Sequence, residues 1–71
     1  MDDVRERFAS NLRGQRERAG LSQEALAELC DLHRTEISLL ERSKRSPRLE
    51  TIVILARGLK LAPAELLKGV A

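Results

Sequence analysis

The sequence predicts an all-α fold, a compact bundle of five helices, and three observations lead there. Apolar residues recur at helical spacing in successive segments. No stretch alternates with period two, and β-branched residues are sparse outside 51–54. Turn and cap residues (Gly20, Asp31, Pro47, Pro63) punctuate the segments at intervals suited to short helices.

Val4, Phe8 and Leu12 recur at i, i+4, i+8 and give the first helix one apolar stripe, ending near Ala19-Gly20. Gly20 fits the left-handed position that closes a helix without Cβ strain. Ser22 then offers a hydroxyl to a backbone N–H three residues on. Ala25 stands where a capping box would place Glu or Gln, so only half of the box is present. Ala25, Leu26, Leu29 and Cys30 are expected to bury the second helix, which stops at Asp31, a residue that tolerates the left-handed conformation. A third helix runs from about His33 to Arg42. At ~100° per residue, Ile37 and Leu40 share one side of it, while Arg34, Thr35, Ser38, Leu39 and Arg42 spread over the other. Ser43 to Arg48, broken by Pro47, is a loop. Ile52, Leu55, Ala56 and Leu59 form the stripe of a fourth helix. Pro63 suits the first turn of a short fifth helix containing Leu66 and Leu67. Residues 1–71 therefore read as one domain, with helices 4 and 5 over about 49–70.

The composition excludes several functions. The chain has 71 residues and one aromatic, Phe8, so it lacks the stacking platform that reads single-stranded nucleic acid. No apolar run approaches the roughly 20 residues of a membrane span. Met1-Asp2-Asp3-Val4-Arg5 is charged where a secretory signal needs an apolar stretch, so a cytoplasmic location is expected. One cysteine forms no internal disulfide, and Cys30 with His33 is too few ligands for zinc, so neither metal nor cofactor is expected. There is no clustered nucleophile and base and no Gly-rich phosphate loop, which argues against an enzyme.

The net charge is only +2, but it is unevenly spread. Arg34, Arg42, Lys44, Arg45 and Arg48 stand against Glu36 and Glu41 in the stretch 34–48, whereas 22–31 carries Glu24, Glu28 and Asp31 with no Lys or Arg. One face suited to a polyanion and another not is the expected footprint of a nucleic-acid binder, although a charge run can also be a solvated face.

Helix 22–30, a tight turn and helix 33–42 have the spacing of a helix-turn-helix at about 22–42. The run Leu21-Ser22-Gln23-Glu24-Ala25-Leu26-Ala27-Glu28-Leu29, then Ile37-Ser38, Glu41-Arg42, Lys44-Arg45-Ser46-Pro47 and Leu55-Ala56, resembles the Cro/CI (XRE-type) family of transcription regulators. The resemblance covers about residues 8–67. Within that family, Leu32-His33-Arg34-Thr35-Glu36-Ile37-Ser38 is most similar to the controller proteins of restriction–modification systems. It implies a lambda-repressor-like DNA-binding domain acting as a homodimer on a pseudo-palindromic operator in double-stranded DNA.

Each role carried over has a physical basis. Arg34, in the first turn of the recognition helix, can fork onto guanine O6 and N7, or else contact a phosphate or stay solvated. Thr35 and Ser38 can bond base edges or phosphates. Leu39, expected to be exposed, either meets a thymine methyl or is isolated surface. Gln23 and the free N–H groups at the start of helix 2 suit a phosphate. Arg42 and the loop cations Lys44, Arg45 and Arg48 are expected on the sugar–phosphate backbone, where they add affinity and salt dependence. His33 either reaches a phosphate or caps the helix. The resemblance implies an ion pair between Arg16 and Glu41 that ties helix 1 to the end of the recognition helix. Two positions depart from the family pattern: Ser43 and Lys60 stand where Gly is usual and where positive φ is commonly needed. Gly58 inside helix 4 is expected to cost stability relative to Ala.

A single recognition helix covers only a few base pairs, so a symmetric dimer is expected. Val53, Ile54, Leu67 and Val70 exceed what a small core needs and suggest an interface on helices 4 and 5, unless they close the core of one subunit. If the protein activates transcription, Glu24 or Glu28 could meet RNA polymerase. The alternatives are a phage Cro-like repressor, an antitoxin-type regulator, and a protein-interaction module that does not read DNA.

Overall fold

The computed structural model describes residues 2–71, with side chains from Val4 onward. Met1 and the Asp2 and Asp3 side chains, part of the charged N-terminus, lie outside the described residues. Five helices follow in order: α1 (Asp2–Arg18), α2 (Gln23–Cys30), α3 (Arg34–Glu41), α4 (Leu49–Leu59) and α5 (Pro63–Leu66). There is no strand among the described residues. The first helix supports α3 and α5, while α2 packs on α3 and α4, so α3 is held from behind by two helices.

Six side chains are essentially inaccessible and fix this arrangement: Leu12, Leu26, Ile37, Leu40, Leu55 and Leu66, one or two from each helix. The predicted stripe of α4 is buried at every position. The stripes of α1 and α2 need correction. Val4 is 38% exposed, and Ala9 joins Phe8 and Leu12 in the core instead. Leu29 is 60% exposed. An eight-residue helix buries one narrow face, here Leu26, Ala27 and Cys30, and Leu29 lies about 100° away from its centre. Ala25 is only half-buried.

Four of the helices end in the same way. Gly20, Asp31, Ser43 and Lys60 adopt left-handed φ values of 72°, 56°, 62° and 60°. After each, the next residue's N–H returns to a carbonyl five positions earlier: Leu21 to Arg16, Leu32 to Ala27, Lys44 to Leu39 and Leu61 to Ala56, at 2.8–3.1 Å. This is the Schellman closure, and its apolar residue just past the turn normally packs back on the helix. Leu21, Leu32 and Leu61 do so, lying against the core cluster. The exception is α3, where Lys44 occupies that place and is exposed. The expected positive φ at Ser43 and Lys60 is therefore present at both sites.

Gly58 proves to be a packing requirement. An ideal Cβ there would stand 2.5 Å from Cys30 Sγ, so the missing side chain is what lets α4 approach α2. The C-terminal segment is clamped by Asn11 of α1, whose Nδ2 donates to the carbonyls of Leu66 at 2.9 Å and Lys68 at 2.8 Å. Those are carbonyls a short helix leaves without partners.

Candidate nucleic-acid interface

Local chemistry sets where the recognition helix begins. His33 is its N-cap, in an extended conformation, and His33 Nδ1 accepts from the Thr35 N–H at 3.3 Å. Of the two roles open to His33, capping is the one present. The Schellman turn at Asp31 and Leu32 lies immediately before it, so α2 stops and α3 starts within three residues. Ser22 caps α2 as expected, accepting from the Ala25 N–H at 3.0 Å.

This turn presents Arg34 and Thr35 exposed on the first turn of α3. No protein partner holds the Arg34 guanidinium among the described residues. Ser38 is half-buried and its Oγ accepts from Arg42 Nε at 3.2 Å, which still leaves the hydroxyl proton to donate. Leu39 is half-buried, contrary to the expectation of an exposed residue. Lys44 and Arg48 are exposed, Arg48 being the residue before α4 with no capping bond of its own. Arg45 is exposed too, but it is not free: Arg45 Nη1 donates to Glu36 Oε1. Nothing in the sequence pattern flagged Glu36, because its partner lies nine residues away in an irregular loop.

Behind α3 lies a buried ionic junction. The Glu41 side chain is fully buried, and Arg16 forks onto it with Nε to Oε2 at 2.6 Å and Nη2 to Oε1 at 3.0 Å. The third arm, Nη1, donates to the Leu21 carbonyl at 2.7 Å. Gln23 Nε2 adds a bond to Glu41 Oε1 at 3.1 Å, and Arg13 Nε stands 3.6 Å from the same oxygen. One Gln23 amide proton is thus engaged by the carboxylate, a strong local acceptor, and the second remains to donate. The hydrogen bond to Glu41 holds the Arg16 guanidinium above its ordinary pKa, against the opposing pull of burial. One carboxylate thus joins α1, the α1–α2 turn, the first residue of α2 and the last of α3.

Among the proposed interface residues on α4 and α5, Val53, Ile54 and Val70 are half-buried and Leu67 is 39% exposed. Ile54 also packs on the core. Two exposed apolar residues escaped the sequence reading, Leu29 and Leu49, at 60% and 72%. Leu29 lines one shallow groove with Ile54 and Gly58. No group of three or more His, Cys, Asp or Glu side chains is placed to hold a metal among the described residues. Among the described residues no helix is long and apolar enough to cross a membrane.

A capped recognition helix with free polar side chains, braced from behind and flanked by cations, defines a DNA-binding transcription regulator of the helix-turn-helix class, and not an enzyme. The chain belongs to the helix-turn-helix family HTH_3, whose profile matches residues 12–66. It is 45% identical over 65 residues to the control protein C.SmaI of Serratia marcescens, covering 92% of this chain and 77% of that protein. Among solved structures it is similar to the restriction–modification controller protein C.AhdI from Aeromonas hydrophila. That match has 40% identity and a TM-score of 0.85, and covers 87% of this chain and 94% of the other. The hypothetical transcription factor NHTF from Neisseria superposes with a TM-score of 0.88 at 40% identity, over 92% of this chain and 75% of its own. The family binds double-stranded DNA.

Proposed function

We propose that the protein is a homodimeric regulator of the restriction–modification controller type, which reads a pseudo-palindromic operator by placing α3 in the major groove. The observation that carries this reading is the exposed first turn of α3, which bears Arg34 and Thr35, the guanidinium without a partner among the described residues. Arg34 forks onto a guanine, Thr35 and Ser38 bond neighbouring edges or phosphates, and Leu39, half-buried, offers at most an apolar edge to a thymine methyl. Arg42, Lys44 and Arg48 meet the backbone, and the Schellman turn that puts a lysine in place of a leucine serves that contact.

The chain's longest extent is 29 Å, shorter than the ~34 Å between successive half-sites on one DNA face, so each copy covers one half-site. Val53, Ile54, Leu67 and Val70, with Leu29 beside Ile54, supply the apolar surface that joins two copies. The acidic residues Glu24 and Glu28 are exposed on α2, a helix without Lys or Arg, and suit a contact with RNA polymerase.

The test is a titration of duplex DNA from the gene's own upstream region against random duplex, at two salt concentrations, with Arg34→Ala alongside. Preference for the upstream duplex that Arg34→Ala abolishes supports the reading. No binding to either duplex at low salt refutes it. Sedimentation of Ile54→Glu tests the dimer, which the variant should convert to monomer.

A further inference from the structure

The Glu36–Arg45 pair has no part in the roles assigned above. It lies in an open cleft of about 370 Å³ between the start of α3 and the α3–α4 loop, bordered also by Asp31, His33, Arg48 and Thr51. Two arginines and two carboxylates offset one another there, which sets this flank apart from an otherwise basic face. Glu36 is the one partly accessible acid on α3, because Glu41 is buried and fully bonded. Its side chain is 24% exposed and that of Arg45 51%, so both ends of the pair are open to an approaching phosphate.

We infer that Glu36 is a counter-charge that holds Arg45 back from DNA and so limits the protein's affinity for duplex of any sequence. The inference rests on the DNA-binding reading. A phosphate that approaches Arg45 must exchange one charge-assisted bond for another instead of adding one. It must also sit beside the carboxylate it displaces. Phosphate contacts carry no sequence information, so the restraint acts on all DNA alike. Glu36→Gln keeps the shape and removes the charge, which frees Arg45 to neutralise one further phosphate.

The experiment measures binding to a random-sequence duplex from 50 to 200 mM salt for the wild type, Glu36→Gln, Arg45→Ala and the double variant. Thermal melting confirms that each is folded. One more neutralised phosphate per protomer steepens the salt slope by about 0.9. The advantage of Glu36→Gln over wild type therefore grows about 3.5-fold per bound protomer as salt falls across that range. Arg45→Ala strips the carboxylate of its partner and weakens binding. The double variant has the wild-type net charge and returns close to wild-type affinity. Weaker or unchanged binding by Glu36→Gln at every salt would show that Glu36 orients Arg45 toward DNA or does nothing, and would overturn the inference. Absence of wild-type binding at 50 mM would instead remove the DNA-binding reading on which it stands.

Discussion

Glu41→Ala tests how the recognition helix is held. The carboxylate is fully buried and accepts from Arg16 twice and from Gln23 once, while the Arg16 side chain is itself only 12% exposed. Removing it strands two guanidinium donors and an amide in a nearly closed site. Breaking a buried pair from one side costs about 3–5 kcal/mol, most of it the penalty of the charge left behind. The surviving bond from Arg16 to the Leu21 carbonyl, and the small solvent access of Arg16, place this case at the lower end, about 3 kcal/mol. A chain of this length has a total stability of about 4–11 kcal/mol, so the loss is a large share of it. At about 4–8 °C per kcal/mol, the melting temperature should fall by at least 12 °C or so. Circular dichroism melting measures this, and duplex titration below the new transition should show weaker binding, because α3 loses its tie to α1 and α2. Unchanged melting with binding abolished would refute the reasoning, since it would make Glu41 a DNA contact and not a brace. Replacing both partners by apolar residues, Arg16→Met with Glu41→Leu, should recover most of the lost stability, because no charge remains unpaired.

Three further outcomes follow from the packing. Gly58→Ala should destabilise by about 1–3 kcal/mol despite its better helix propensity, because the new methyl meets Cys30 Sγ; Cys30→Ala with Gly58→Ala should melt well above Gly58→Ala alone. Ser43→Gly and Lys60→Gly relieve left-handed residues at φ 62° and 60°, and each should gain up to about 1 kcal/mol in denaturant melts. Burial pushes the Cys30 thiol above its ordinary pKa, so the folded state resists ionisation. Stability from this group is complete below the unfolded thiol's pKa and is lost as pH rises above it. Thiol labelling near neutral pH should accordingly be slow in the wild type and faster in Glu41→Ala.

How far the sequence could be read depended on whether a residue's partner lay within one helical turn. The α4 stripe, the Ser22 cap and the left-handed closure at Gly20 each follow from residues three or four apart, and each is present in the structure. The length of α2 made its periodicity a weaker guide. Eight residues make barely two turns, so Leu26 and Leu29 fit a helical stripe equally well, and only the approach of α4 at Gly58 decides which is buried. The positive φ at Asp31, Ser43 and Lys60 was legible, at Asp31 from its short polar side chain and at the other two only through the family resemblance. Asp31, Ser43 and Lys60 are not glycines, and their left-handed conformation is imposed by the leucines at 32 and 61 seeking the core and by the helix ends they terminate.

The interface was the least legible part, and the reason is electrostatic. Counting Arg34 to Arg48 as a basic stretch treats every cation as available. In the folded chain Arg45 is held by Glu36, Arg42 is bonded to Ser38, and Gln23 has turned to Glu41. Of these contacts only the one to Glu36 sets an opposite charge against a cation; Arg42 keeps its full charge beside the neutral Ser38 hydroxyl. Within 34–48, Arg34, Lys44 and Arg48 are the cations without a protein partner among the described residues. Of these, Arg34 alone stands at the start of α3, the helix that the proposed reading places in the groove.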